Sequence, residues 1–176
     1  MASPVGHALV GVGLAAVSVP LLGITPGPAL WIGAVIASGV PDLDFVGVLL
    51  GYELERVHRR ATHSLCVLSV LAGFIVWASH WPRVPLDTPT VWAWVIALLV
   101  HPLVDVLTTT HRAGQIHWGI QLFWPFSLRR YHVARPLVHP PTLASYASKA
   151  LWRDLWPELA LFGSTCLSLI LLGSVL

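Results

Sequence analysis

The chain has 176 residues, 56% of them hydrophobic and only 10% charged, with a mean hydropathy of +0.75. A soluble domain carries about 25% charge, so the composition excludes an ordinary water-soluble enzyme and predicts one compact integral membrane unit. A net charge of +2 is too small to suggest a nucleic-acid partner.

The first predicted helix runs from about Val5 to Leu22, just enough to span the hydrocarbon. No basic segment precedes it, so it reads as a retained helix rather than a cleaved signal. His7 is its polar anomaly, and Gly6, Gly11 and Gly13 allow a neighbouring helix to approach closely. The sequence GITPGP, residues 23 to 28, reads as a tight turn. The second helix is expected over about Ala29 to Leu50, interrupted at Pro41-Asp42-Leu43-Asp44. Pro41 lacks a backbone N–H and crowds the preceding turn, which predicts a kink or break there. Broken helices at membrane depth occur where they line a cavity or a site.

Residues 52 to 64 (YELERVHRRATHS) form the first strongly polar stretch. A third helix follows over about Ser64 to Trp81, and a fourth over about Thr90 to Leu107. The fourth ends through His101-Pro102-Leu103-Val104-Asp105, where His101 and Asp105 lie one turn apart on one face, with about 6 Å between their Cβ atoms. Residues 111 to 153 hold no span. They contain Phe123-Trp124-Pro125-Phe126-Ser127, Arg129, Arg130 and a Pro-rich piece at 139–141, and predict interfacial helices and loops with aromatics at headgroup level. The fifth helix, about Leu155 to Leu176, reads as a nearly featureless anchor. The expected fold is therefore an all-α membrane bundle of about five transmembrane helices, with an interfacial segment between helices four and five.

In this arrangement the segments after helices two and four share one side. Of the ten basic residues only Arg83 falls opposite, so the N-terminus and both polar segments are expected in the cytoplasm. His7, Asp42, Asp44, His58, His63, His101 and Asp105 then all fall in the cytoplasmic half of the bundle. Four helices bring imidazoles and carboxylates to one leaflet, and lysine and arginine alone decided the orientation. Such groups are costly in lipid and need a partner; a divalent cation satisfies both types at once.

Blander readings remain beside this one. His101 and Asp105 could simply hydrogen-bond each other, and Asp42 or Asp44 could cap the Pro41 break. His63 could be a cap or an interfacial residue. Arg59 and Arg60 either hold a phosphate or snorkel to lipid headgroups. His111 could reach a second metal; His80, His117, His132 and His139 read as interfacial or loop residues. Cys66 and Cys166 lie inside apolar runs and form no CxxC pair. Zinc-protease, serine-hydrolase and phosphate-loop motifs are missing.

His7, the Pro41–Asp44 break, the run His58 to Ser64, His101 to Asp105 with Thr108 and Thr109, and Phe123 to Ser127 together resemble the YdjM-type inner-membrane, metal-dependent hydrolases. The resemblance covers roughly residues 1 to 128, leaving an interfacial segment, 129–154, and an anchor helix, 155–176, outside it. Residues 110 to 118 depart from the family pattern, with His111 and extra residues where a glycine is usual. A more distant likeness is to zinc-dependent phospholipase C and P1-type nucleases. That likeness implies that His63, His101 and Asp105 hold one metal, with His7 beside Asp105 helping a second.

The expectation is a metal-dependent hydrolase acting on a phosphoester of a membrane lipid or lipid-linked substrate. The expected metal ligands are His7, Asp44, His63, His101 and Asp105. Asp42 or Asp44 would orient or deprotonate the attacking water, and Arg59, Arg60 and Thr62 would bind substrate. The donor set favours Zn2+, with Mn2+ or Fe2+ as alternatives. The rival readings are a non-catalytic protein with a structural metal and a metal ion transporter.

Overall fold

A computed structural model of the chain describes residues 2–44, 46–47, 50–52, 59–82, 86–109, 119–138 and 151–176. These residues form five α-helices, α1 (Pro4–Leu22), α2 (Pro28–Gly39), α3 (Leu65–Ser79), α4 (Thr88–Thr108) and α5 (Leu151–Val175). Two short 3-10 turns, Val40–Asp44 and Ala61–His63, lie between α2 and α3. The fold is all-helical apart from one isolated antiparallel bridge, Ile120 to Tyr131.

Three of the five helices, α1, α4 and α5, are long and apolar enough to cross a membrane. The other two fall short. α2 has 12 residues and α3 has 15, about 18 and 22 Å at 1.5 Å per residue, against a hydrocarbon thickness of about 30 Å. The expected second helix, Ala29 to Leu50, is broken at the expected place: α2 ends at Gly39, and beyond the turn Val46 and Gly47 are again helical, with Leu50 N donating to the Val46 carbonyl at 3.1 Å. Pro41 cannot supply the next hydrogen-bond donor, and the backbone tightens into the 3-10 turn that carries Asp42 and Asp44.

The helix ends follow local chemistry. Ser3 caps α1, its Oγ accepting from the Gly6 amide at 3.2 Å, and Pro4 opens the helix. Gly23 closes it at φ 64°, the left-handed C-cap that glycine tolerates. Asp87 caps α4 through the Thr90 amide at 2.9 Å, a bond that holds its carboxyl below the ordinary range. Ser64 caps α3 through the Cys66 amide at 3.2 Å.

α4 is central, packing against α1, α2 and α3, while α1 also lies against α2 and α5. Alanines sit at the helix contacts, beside buried Leu30, Leu68 and Leu98. Ala15, Ala34 and Ala93 join α1, α2 and α4, and Ala37, Ala72 and Ala97 join α2, α3 and α4. Large apolar side chains such as Ile36, Val70, Phe74 and Trp77 point outward. Lipid solvates those side chains as well as a core would, so the small residues occupy the helix contacts. Gly11 illustrates the approach expected of the α1 glycines: a Cβ there would press on the Ala34 carbonyl and the Ser38 hydroxyl.

Of the segment expected to hold interfacial helices and loops, residues 119–138 form turns and loop; residues 110–118 and 139–150 lie outside the described residues. The described part folds back on the 59–65 segment. Gln121 N donates to the Arg59 carbonyl at 3.2 Å and Leu65 N to the Leu122 carbonyl at 2.8 Å. The Ser64 hydroxyl donates to the Trp124 carbonyl at 2.5 Å. Val133 N bonds the Thr109 carbonyl at 3.1 Å, closing the loop against the C-terminal end of α4.

Candidate metal centre

The Pro41 turn, the 61–63 turn and the last turns of α4 meet at one point. Asp42, His63, His101 and Asp105 each bring a donor atom there, all within 4.8 Å of one another. His63 Nε2 lies 3.2 Å from Asp105 Oδ2, 3.3 Å from His101 Nε2 and 3.4 Å from Asp42 Oδ1. His101 Nε2 lies 3.5 Å from Asp105 Oδ2 and 3.7 Å from Asp42 Oδ1. Bonds of 2.0–2.1 Å to a tetrahedral cation imply donor–donor edges of roughly 3.3 Å. The five edges that involve an imidazole, 3.2–3.7 Å, lie near that spacing.

The hydrogen bonds behind the imidazoles fix which nitrogen faces inward. His101 Nδ1 lies 2.6 Å from the Ser38 carbonyl, which can only accept, so Nδ1 carries the proton and Nε2 turns a lone pair to the centre. Thr62 Oγ1 donates to Asp44 Oδ2 at 2.7 Å and therefore offers its lone pair to His63 Nδ1, 3.1 Å away. His63 Nε2 is thus also unprotonated when both partners are neutral. Two nitrogen lone pairs face carboxylate oxygens, and Asp105 Oδ2 and both Asp42 oxygens are buried without a hydrogen-bond partner. A divalent cation supplies the positive charge that two carboxylates and two lone pairs require, so the residues fit the metal.

Asp105 is held from behind. Its Oδ1 accepts from His7 Nε2 at 3.1 Å and from the Ala2 amide at 3.1 Å. The His7 ring stacks on His101 with centroids 3.7 Å apart. His7 is buried at the centre, but it was expected to ligate the metal and instead donates to Asp105, behind the four-donor cluster. Asp44 also stands one layer out: its Oδ2 accepts from Thr62 and, at 3.2 Å, from the Arg59 amide, and lies 3.5 Å from His63 Nδ1. Partners of this kind orient metal ligands and raise their basicity.

Without a cation, burial alone would lower the His63 value. The Asp105, Asp42 and Asp44 carboxylates outweigh it and raise the group well above the ordinary imidazole range. Burial likewise pulls the Arg59 guanidinium below its usual value, Asp105, Asp42 and Asp44 pull it back, and Arg130 adds to the lowering. Arg59 has φ 65°, an uncommon conformation for a side-chain-bearing residue. That backbone sends its N–H to Asp44 and its carbonyl to Gln121. Arg60 is exposed and Thr62 half-buried.

With this geometry in view, the comparison with known families is decisive: the whole chain, residues 1–176, matches the family described as YdjM inner membrane protein. The chain belongs to that family. No curated protein and no solved structure matches, so the phospholipase C likeness rests on residue types alone. The YdjM match also takes in α5, which the motif resemblance had left outside.

Helix α5, expected to be a featureless anchor, carries a deeply buried acid. Glu158, in the presumed anchor helix, is 1% exposed, and its Oε1 accepts from the Ser3 amide. The readable signal was a lone acid in an apolar stretch, WPELALF. Ser38 and Ala2 contribute through backbone groups, which leave no mark in a sequence. His80 and His132 are exposed, as loop positions should be. His58, His111, His117 and His139 lie outside the described residues.

Proposed function

We propose that this YdjM-family chain is a metal-dependent hydrolase of the inner membrane that cleaves a phosphoester in a lipid or lipid-linked substrate. One observation carries the reading: three of the four donors are anchored and one is not. His63 is backed by Thr62 and Asp44, His101 by Ser38, and Asp105 by His7 and Ala2. Asp42 has no hydrogen bond to either oxygen and is the only one of the four with side-chain exposure, 10%. Three held ligands plus an open position is the pattern of catalytic zinc.

His63, His101 and Asp105 would hold the cation, and zinc suits two nitrogens with carboxylate oxygen. When bound, it lowers the pKa of a coordinated water towards ~7 and polarises a phosphoryl oxygen. Asp42, whose carboxylate has no other hydrogen-bond partner, would take the proton of the attacking water and pass it to the alcohol oxygen released as the P–O bond breaks. Arg59, beside the three aspartates, offers a planar fork for phosphate oxygens. Phe126 and Leu128 are 86% and 66% exposed on the loop covering the 59–65 segment, which supports a substrate drawn from the headgroup layer. The basic-residue distribution supports a cytoplasmic-facing site.

The second reading is a structural metal, favoured by four donors at tetrahedral spacing. Zinc-loaded protein, presented with phospholipid vesicles and assayed for released headgroup phosphate, separates the two. For a hydrolase, Asp42→Asn retains zinc and loses at least about 100-fold in rate. Loss of zinc in Asp42→Asn, with no phosphoester turned over by the wild type, establishes the structural reading instead.

A further inference from the structure

α5 gives no donor to the four-atom cluster, yet it carries a carboxylate deep in the bundle. Glu158 is 1% exposed, beside Phe162 at 5%. An ionisable side chain inside a membrane-length helix is costly and usually has a task. Its Oε1 accepts from the Ser3 amide, while Oε2 is buried with no hydrogen-bond partner. α1 is shaped around it: a Cβ at Gly6 would overlap Glu158 Oε1 and the Phe162 ring.

The neighbouring amide shows what the contact achieves. Ala2 N donates to Asp105 Oδ1, and His7 donates to the same oxygen one turn into α1. Consecutive amides at positions 2 and 3 therefore face two carboxylates, one on α4 and one on α5. Ala2 and Ser3 are themselves buried, at 2% and 4% exposure. Fixing Ser3 fixes the start of α1, and with it both donors that occupy Oδ1 of Asp105. Oδ2 is then left to turn towards His63 and His101.

We propose that Glu158 is a positioning residue of the metal centre: through Ser3 it holds Ala2 and His7 against Asp105. This deepens the metal reading above and rests on it. The contact is a hydrogen bond to a carbonyl-type oxygen, so an amide at position 158 preserves it and a hydrocarbon abolishes it.

The test uses the full chain in detergent or nanodiscs, with zinc affinity measured against a competing chelator and amide exchange followed over residues 2–7. Glu158→Leu is expected to expose those amides and to weaken zinc binding about tenfold or more, the usual loss when an outer-shell partner is removed. Glu158→Gln, which keeps the shape and the acceptor oxygen but not the charge, is expected to retain both, which a role in charge would not produce. Should Glu158→Leu fail to fold, Ser3→Pro, which deletes the amide, is compared with Ser3→Ala, which keeps it. Both variants lose the Oγ cap on the Gly6 amide, so zinc should weaken clearly further in the proline variant than in the alanine variant, and equal affinities count against the role of the Ser3 amide. Wild-type affinity in Glu158→Leu, or equal damage in Glu158→Gln, overturns the role of Glu158 while leaving the metal centre standing. If the wild type binds no stoichiometric zinc, the metal centre and this role fall together.

Discussion

At His101 one hydrogen bond decides the chemistry. Nδ1 is committed to the Ser38 carbonyl, so Nε2 has only the cluster to face. His101→Ala and Asp105→Ala should each reduce bound metal from one equivalent to near background, measured by elemental analysis of purified protein. His7→Phe should weaken affinity by only about 10–100-fold, because His7 acts through Asp105. His63 gives a pH signature. Without a cation the Asp105, Asp42 and Asp44 carboxylates raise its pKa well above the ordinary imidazole range, so its contribution to stability is complete below about pH 6.5 and is lost as pH rises through the raised value. Metal-stripped protein should therefore melt at lower temperature as pH climbs above neutrality. Metal-loaded protein should show the opposite dependence on acidification, since protons then compete for the ligand. Thermal melts with and without chelator check both signs. The imidazoles and Asp105 were legible in the sequence because polar groups at matching depths in apolar helices have few other uses. Asp42 and Asp44 were not separable, since both flank Leu43 in one break. The winding of the 3-10 turn sends Asp42 to the cluster and Asp44 to Thr62 and Arg59.

The elements that carry these side chains meet through small contacts. Gly11→Leu would push a side chain onto the Ala34 carbonyl and Ser38 hydroxyl, separating α1 from α2 and shifting the carbonyl that orients His101. Both melting temperature and metal affinity should fall. Overpacking of this kind costs about 1–3 kcal/mol; leucine at Gly163, where a Cβ meets nothing within 4 Å, is the control. Ser64→Ala removes the α3 cap and the tie to Trp124 and should lower stability by about 1 kcal/mol, read from the same melts. Helix existence was legible from long apolar runs, and α4 begins within two residues of the expected start. The length of α2 was not. Pro41 marks where the helix breaks, but hydropathy does not tell a kink that keeps one continuous span from a 3-10 turn that ends α2 at Gly39.

Across the whole molecule, buried alanines and exposed aromatics report a lipid surround, as the composition required. Three helices have spanning length; the two short ones bring their ends to the level of the cluster, which is where an integral protein can place polar groups together. Cysteine labelling in intact cells should leave positions 60 and 129 unreactive to impermeant reagents if the site faces the cytoplasm. Metal should also stabilise the fold as a ligand of the native state alone, by about 2.7 kcal/mol at a free concentration 100-fold above Kd. The most direct measurement is metal stoichiometry with X-ray absorption on the purified full chain. The account predicts one divalent cation per chain, ringed by two imidazole nitrogens and carboxylate oxygen at about 2.0–2.2 Å, and lost in His101→Ala. A chain that takes up no stoichiometric metal after loading, or that keeps the same coordination without His101, contradicts it.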